Sequence, residues 1–476
     1  MFSFFKKTPK VVIRHRADHN ISRKNISPEA LKVLYRLSDA GFKAYLVGGG
    51  VRDLLLGRQP KDFDVGTDAQ PREIKRLFPR CFLIGRRFRL AHVVFGKTII
   101  ETSTFRKQPP PDEQDDAGGP GELYQDSDNT FGTPEEDAQR RDFTINGLFY
   151  DIKTFDVIDY VGGLADLEKG VLRSIGDPNI RFREDPVRMM RAIRLSSKLG
   201  MTIERGTLKA ISRHHSEITK AATARVLEEI FRLFSFTAAE KSFRLMWSTG
   251  LLSDLLPILN GYIDAHGGKN CPVWNYLREF DNFTDGMGED ATNGLRIAAL
   301  YLAPYLEALA RKSEGGHEPN RGDRIRAAEE VLQVVGSQYK MPKAAYYHAV
   351  HLLEELACFE KNPPRDRTIR ASRAAQFQDA VLLARIRAAV DGLPTHMIDA
   401  WAKIKVVPAP RHPSDADGDE TRDVVPDTPR DDSDAAPRDN AEPRGDRPRR
   451  PHFRRRRFRP RKPFGTENHD TASPSM

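Results

Sequence analysis

The feature that most constrains the fold is a change of hydrophobic rhythm near residue 175. Before it, short runs rich in β-branched and aromatic residues alternate with brief helical stretches. "KAYLVGGG", "KDFDV", "CFLIG", "AHVVFG" and "TIIETSTF" read as strands, and "PREIKRLF" as a short helix between them. Ahead of these, "NISPEALKVLYRLSDAG" reads as a first helix: Ser27 caps it, Pro28 suits its first position, and Leu31, Leu34 and Leu37 recur at helical spacing up to Gly41. After residue 175, segments such as "ATARVLEEIFRLF" and "LRIAALYLAPYLEALAR" keep helical periodicity with almost no strand signal. The chain is therefore expected to be α+β, with a mixed sheet and its helices first and an all-helical part behind.

A chain of 476 residues is long enough for two or three domains. The expected division is a flexible N-terminus over 1–25, a head over 26–175, a helical neck over 176–236, a helical body over 237–404 and a disordered tail over 405–476. Charge distribution supports the last of these. The net charge of +9 is concentrated in residues 447–462, "RPRRPHFRRRRFRPRK", which hold ten basic residues and no acidic one. Residues 411–446 hold twelve acidic residues against five arginines, and the segment lacks the large apolar residues of a core. A second poor core former, the acidic Pro/Gly-rich stretch 108–139, is expected to be a surface loop. No run of 18 apolar residues exists to span a membrane, and the basic start "MFSFFKKTPKVVIRHR" is unlike a secretory signal. Three scattered cysteines, Cys81, Cys271 and Cys358, suggest neither a disulfide framework nor a zinc site, and fit the cytoplasm.

Three clusters carry candidate chemistry. In "YLVGGGVRDLLLGRQPKDFDV", residues 45–65, Gly48, Gly49 and Gly50 let backbone N–H groups approach phosphate oxygens without Cβ interference, and Arg52 adds a guanidinium. If "KDFDV" is a strand, Asp62 and Asp64 project from one face, a ligand pair for a hard cation such as Mg²⁺. Such a turn and such a pair also occur as plain loop and solvated strand edge, so neither decides alone. The second cluster is "RRDFTINGLFYD", with Arg140, Arg141 and Asp142. In the third, "REDPVRMMRAIR", a helix would bring Asp185, Arg188 and Arg191 to one face, where carboxylate and guanidinium could read a base edge or simply form a surface ion-pair ladder.

GGGVRD, DFD, RRDFTIN and EDPVRMMRAIR, in this order and spacing, resemble the class II nucleotidyltransferase superfamily, which contains bacterial poly(A) polymerases and tRNA CCA-adding enzymes. The resemblance spans about residues 20–235. It implies a nucleotidyltransferase head, a neck that reads the incoming base, and further helical domains. It implies Mg²⁺ at Asp62 and Asp64, with Asp142 as third active-site carboxylate. It implies nucleotide contacts from Gly49, Gly50, Arg52, Arg141, Asp185, Arg188 and Arg191. Glu101 in "TIIETSTFR" competes with Asp142 from the sequence, because its strand could neighbour Asp62.

Within the superfamily, "FLIGRRFRLAHVVFG" and the N-terminal helix resemble the poly(A) polymerases, and the phosphohydrolase-type His/Asp cluster of some CCA-adding enzymes is not seen. In the tail, Arg454, Arg455, Arg456 and Arg457 would neutralise RNA phosphates without reading sequence, with Phe453 and Phe458 available to stack on bases. The implied activity is template-independent addition of AMP from ATP to RNA 3′ ends, with an RNA-degradation complex or RNA chaperone as possible partner. CCA addition to tRNA is the alternative. A noncatalytic RNA-binding scaffold is the reading from another class, disfavoured because glycines and aspartates are all present.

Overall fold

The protein is described by a computed structural model covering residues 10–85, 90–107, 131–285, 291–313, 318–364, 368–370 and 373–407. The expectations for residues 86–89 of the "GRRFRLAHV" stretch, for most of the acidic loop and for the tail with Arg454–Arg457 lie outside the described residues. All described residues belong to one unit, Met1–Pro410.

Eight strands build one mixed sheet: β1 (Val12–Arg14), β2 (Ala44–Val47), β3 (Asp64–Thr67), β4 (Cys81–Ile84), β5 (Leu90–Phe95), β6 (Thr98–Thr104), β7 (Leu148–Asp151) and β8 (Val157–Asp159). Their order across the sheet is β1-β8-β7-β2-β3-β6-β5-β4. Only β3 and β6 run parallel; every other neighbouring pair is antiparallel. On one face lies α1 (Pro28–Asp39), begun by the Ser27 hydroxyl accepting the Ala30 N–H at 3.1 Å. It buries Val33, Leu34 and Leu37 in a core shared with Leu46 and Val65. Val47, Phe105 and Phe149 form a smaller cluster with Ala138 of the helix Pro134–Arg140. Asp64, the register partner of Val47, lies on the face of this second cluster.

Strand β1 corrects the expectation of a flexible 1–25. Its Val-Ile-Arg run pairs antiparallel with β8, and Arg14 forms an ion pair with Glu168. A three-residue edge strand is too short to stand out as a pattern in the sequence.

Beyond the sheet the described residues are mainly helical, with two-residue strand pairs as the exceptions among them. The helix Pro178–Glu184 is followed by Val187–Leu199, then Arg205–His214, Thr223–Arg232 and Ala239–Ser248. Further helices continue to His396–Ala402. Among the described residues no helix is long and apolar enough to cross a membrane. Asp185 does not share a helical face with Arg188 and Arg191, as the spacing suggested. It lies extended between two helices, at φ −141°, because Pro186 disfavours helical geometry in the residue before it.

Candidate active site

The opening segment folds so that its two ends meet. Strand β2 ends at Val47, which pairs with Asp64, the first residue of β3. The chain then leaves the sheet at Gly48, whose φ of +73° is costly for any residue with a Cβ. Arg141 occupies the space a side chain would need there, its Nη1 lying 2.9 Å from where that Cβ would stand. Because β2 departs at this point, Asp62 and Phe63 have no ladder partner. The "KDFDV" strand thus begins at Asp64 rather than earlier, with Asp62 exposed just ahead of it. Gly50 packs against the Asp62 backbone, with a hypothetical Cβ 3.4 Å from its carbonyl oxygen. Glycine turn and aspartates are thus a single structural unit.

Parallel pairing of β3 with β6 aligns Val65 with Thr102, which sets Glu101 beside Asp64 on the same face. His92 on β5 pairs with Glu101 in register, its Nε2 3.7 Å from a Glu101 carboxylate oxygen. Burial, then the Glu101 charge, push the Asp64 carboxyl up to about 6; Arg141 pulls against this and Asp62 adds to it. The negative charge collected here exceeds what the adjacent Arg141 offsets. That donor set of hard oxygens suits a divalent cation that keeps water and phosphate oxygens as its remaining ligands. Among the described residues no three His, Cys, Asp or Glu side chains close around a cation site.

The other two sequence motifs are joined to this unit by a continuous chain of polar contacts. Arg52 donates to Asp53 Oδ1 through Nε and Nη2, at 2.8 and 2.7 Å, and to Asn146 Oδ1 through Nη1 at 2.6 Å. Asn146 Nδ2 donates to Asp142 Oδ1 at 3.0 Å. Asp142 Oδ2 accepts both Nε and Nη2 of Arg191, at 2.9 and 2.6 Å. Burial acts to raise the Asp142 carboxyl, but Arg191, Asn146 and the Phe143 N–H overcome it and hold the group well below the usual carboxylate range. Arg181, buried, donates to the carbonyl oxygens of Arg140 and Arg141 and pairs with Glu184 at 2.6 Å. Sequence reading missed Arg181 and Asn146; both stand inside motifs or beside them, but only the fold reveals what they join.

A cavity of about 500 Å³ is lined by Gly49, Gly50, Arg52, Asp62, Asp64 and Asn146 on the sheet side, and by Arg191, Arg194 and Lys198 on the helix Val187–Leu199. Asp142 and Glu101 border this site without lining the cavity itself. Arg141 stays at the glycine turn, paired with Asp137 at 2.9 Å and set over the Phe149 ring. Asp185 and Arg188 are not brought to the cavity wall. Asp185 pairs with Arg225 at 2.9 Å, and Arg188 pairs with Glu184 at 3.2 Å.

Residues 44–173 match the family described as "Poly A polymerase head domain", and residues 200–263 the family described as "Probable RNA and SrmB- binding site of polymerase A". Poly(A) polymerase I of Escherichia coli O6:H1 is 49% identical over 345 residues, covering 70% of this chain and 73% of that protein. A CC-adding tRNA nucleotidyltransferase of Halalkalibacterium halodurans is 39% identical over 227 residues, covering 48% of this chain and 54% of that protein. The crystal structure of Bacillus stearothermophilus CCA-adding enzyme in complex with CTP superposes with a TM-score of 0.54 at 26% identity, over 79% of this chain and 81% of that one. The sheet topology, the helical remainder and the extent of the first similarity have one conclusion: the chain belongs to the bacterial poly(A) polymerase family.

Proposed function

We propose that this chain is a template-independent polynucleotide adenylyltransferase, transferring AMP from ATP to the 3′-hydroxyl of RNA. The observation that carries the reading is the meeting of the glycine turn with Asp62 and Asp64 at one edge of the cavity. The similarity to poly(A) polymerase I extends over 345 residues, well past the head, whereas that to the CC-adding enzyme stops at 227. This favours adenylylation over CCA addition.

Asp62 and Asp64 would hold a divalent cation such as Mg²⁺. Bound there, it supplies charge neutralisation to the triphosphate and acidifies the attacking hydroxyl. The protein's own groups do the rest. We place the triphosphate on the backbone N–H groups of Gly49 and Gly50, which line the cavity, with the Arg141 guanidinium behind them against Gly48. The RNA 3′-oxygen forms a bond to the α-phosphorus while the α–β bridging bond breaks, and pyrophosphate leaves. Glu101, beside Asp64, is the carboxylate we assign as third member of the acidic set, placed to take the proton of the 3′-hydroxyl. We assign Asp142 a positioning role: it fixes Arg191 at the cavity wall. Arg52, three of its five N–H donors committed to Asp53 and Asn146, holds the turn and lines the cavity with the other two. The division into head 26–175, neck 176–236 and body 237–404 is proposed with this function, with the head taken back to include β1.

RNA 3′ ends and ATP are the substrates on this reading. The match of residues 200–263 to an RNA- and SrmB-binding family supports placing contacts to RNA, and to an RNA-handling protein, on the helices there; photo-crosslinks from RNA mapping elsewhere would contradict it. We place the protein in the cytoplasm, where such substrates occur and where Cys81, Cys271 and Cys358 stay free thiols; fractionation of cells tests this. The activity is tested by supplying each NTP separately with an unstructured RNA primer and with tRNA lacking its CCA end. Long A-tails from ATP alone support the reading; addition of C, C and A to tRNA followed by arrest overturns it.

A further inference from the structure

The cavity has an end that the mechanism above does not use. Along the helix Val187–Leu199 the basic residues Arg191, Arg194 and Lys198 follow one another along its wall, and Phe236, beside Lys198, lines it too. Phe236 is a large apolar side chain left 50% exposed, and Lys198 Nζ sits over its ring, 3.7 Å from the centroid. The backbone holding it is unusual. Phe236 and Thr237 both adopt left-handed conformations, at φ 64° and 51°, which residues bearing a Cβ rarely take, a β-branched threonine least of all. Glycine would relieve Phe236 of this strain without altering the path of the chain. A strained turn that keeps an aromatic ring at the rim of a basic cavity, rather than burying it, is the pattern of a binding feature.

We propose that Phe236 is the stacking platform for the 3′-terminal base of the RNA primer, with Lys198 beside it to meet the adjoining phosphate. Sites for single-stranded nucleic acid combine a basic groove with aromatic rings on which bases stack irrespective of sequence. That combination suits an enzyme that must accept arbitrary 3′ ends. The proposal rests on the adenylyltransferase reading above and deepens it. The base concerned is that of the RNA rather than that of ATP. The family resemblance implies adenine contacts at Asp185 and Arg188, which here pair with Arg225 and Glu184 away from the cavity wall, and Lys198 lies ten residues beyond Arg188, roughly 15 Å along the helix axis. One adenine does not reach both.

The test is steady-state adenylylation by the full chain, with primer and ATP varied separately, for wild type, Phe236→Gly and Phe236→Trp. Phe236→Gly removes the ring while relaxing the turn, so misfolding is not the expected cause of any loss, and a thermal melt verifies this. The expected result is a rise of about tenfold in KM for the primer, within the range of a lost base–aromatic stack, with KM for ATP unaltered. Phe236→Trp restores primer affinity. A primer whose 3′-terminal nucleotide lacks its base costs the wild type a similar factor and costs Phe236→Gly nothing further. A rise in KM for ATP alone overturns the proposal in favour of an adenine contact. No change in either KM reduces the ring to a packing partner of Lys198, and independent, additive losses from ring and base also overturn it. If the wild type itself extends no primer, the adenylyltransferase reading falls as well, whereas extension with an unaffected Phe236→Gly condemns this proposal alone.

Discussion

Asp142 and Asp64 stand near one another in function but in opposite electrostatic circumstances. Asp64 is pushed up to about 6 by burial and then by the neighbouring carboxylates, whereas Asp142 is satisfied by Arg191, Asn146 and a backbone N–H. The difference separates their roles. Replacing Asp142 by Asn at neutral pH leaves Arg191 without its anion. The loss should be about 2–3 kcal/mol, at the low end for a buried pair because Arg191 keeps 34% of its side chain in water. The pH dependence follows from the lowered folded-state pKa. The carboxylate stabilises the fold above its unfolded value near 4, and this contribution fades as pH falls below 4 toward the folded value. Urea titrations of wild type and Asp142→Asn should therefore differ fully at pH 7 and converge progressively below pH 4. A gap that persists unchanged to pH 2 would contradict the assigned pairing. For the acidic set, Glu101→Gln should lower kcat by about 100-fold or more with the fold intact, in keeping with loss of a general base. Unchanged turnover would return Glu101 to a structural role. Sequence reading found both carboxylates and put Asp142 first by resemblance; that β6 lies beside β3 and that Arg191 returns to Asp142 across 49 residues is beyond local pattern.

At the scale of elements, strands and helices were the legible part. β-Branched runs bounded by glycine, and helical runs opened by Ser27-Pro28, declare themselves because they depend on neighbours a few positions away. Three details failed, two for want of longer-range information and one, Asp185, against the local signal of Pro186. β1 is recognisable only through its pairing with β8. The start of β3 is set by where β2 turns off, and the register of Asp185 by Pro186. The glycine turn is the element on which the site depends. Gly48→Ala should force both the left-handed backbone and the Arg141 guanidinium to shift, costing about 1–2 kcal/mol of stability. Its KM for ATP should rise several-fold, measured at saturating primer. If stability falls but ATP affinity does not, Arg141 and the turn do not meet the triphosphate.

For the molecule as a whole, the head-and-helices architecture was legible from the change of rhythm near residue 175, and the family from four motifs. What joins the motifs was not. The path Asp53–Arg52–Asn146–Asp142–Arg191 crosses from the sheet to the first long helix after it, and no local pattern encodes such a path. The tail makes its own prediction. Ending the chain at residue 407 removes the ten basic residues of 447–462. Primer KM should rise about tenfold near physiological salt, and its salt dependence should flatten, because fewer counterions are released on binding. Turnover at saturating primer should survive; its disappearance would give the tail a part in the chemistry.

The account stands most directly on the paired aspartates. A single-turnover assay of AMP transfer from ATP to a 3′-hydroxyl RNA primer, with Mg²⁺ supplied, compares wild type with Asp62→Ala and Asp64→Ala, each shown by circular dichroism and thermal melt to be folded. The expected result is incorporation by the wild type and a loss of at least about 1,000-fold in either variant, the two carboxylates being required together. Robust Mg²⁺-dependent incorporation by either folded variant would contradict the site described here.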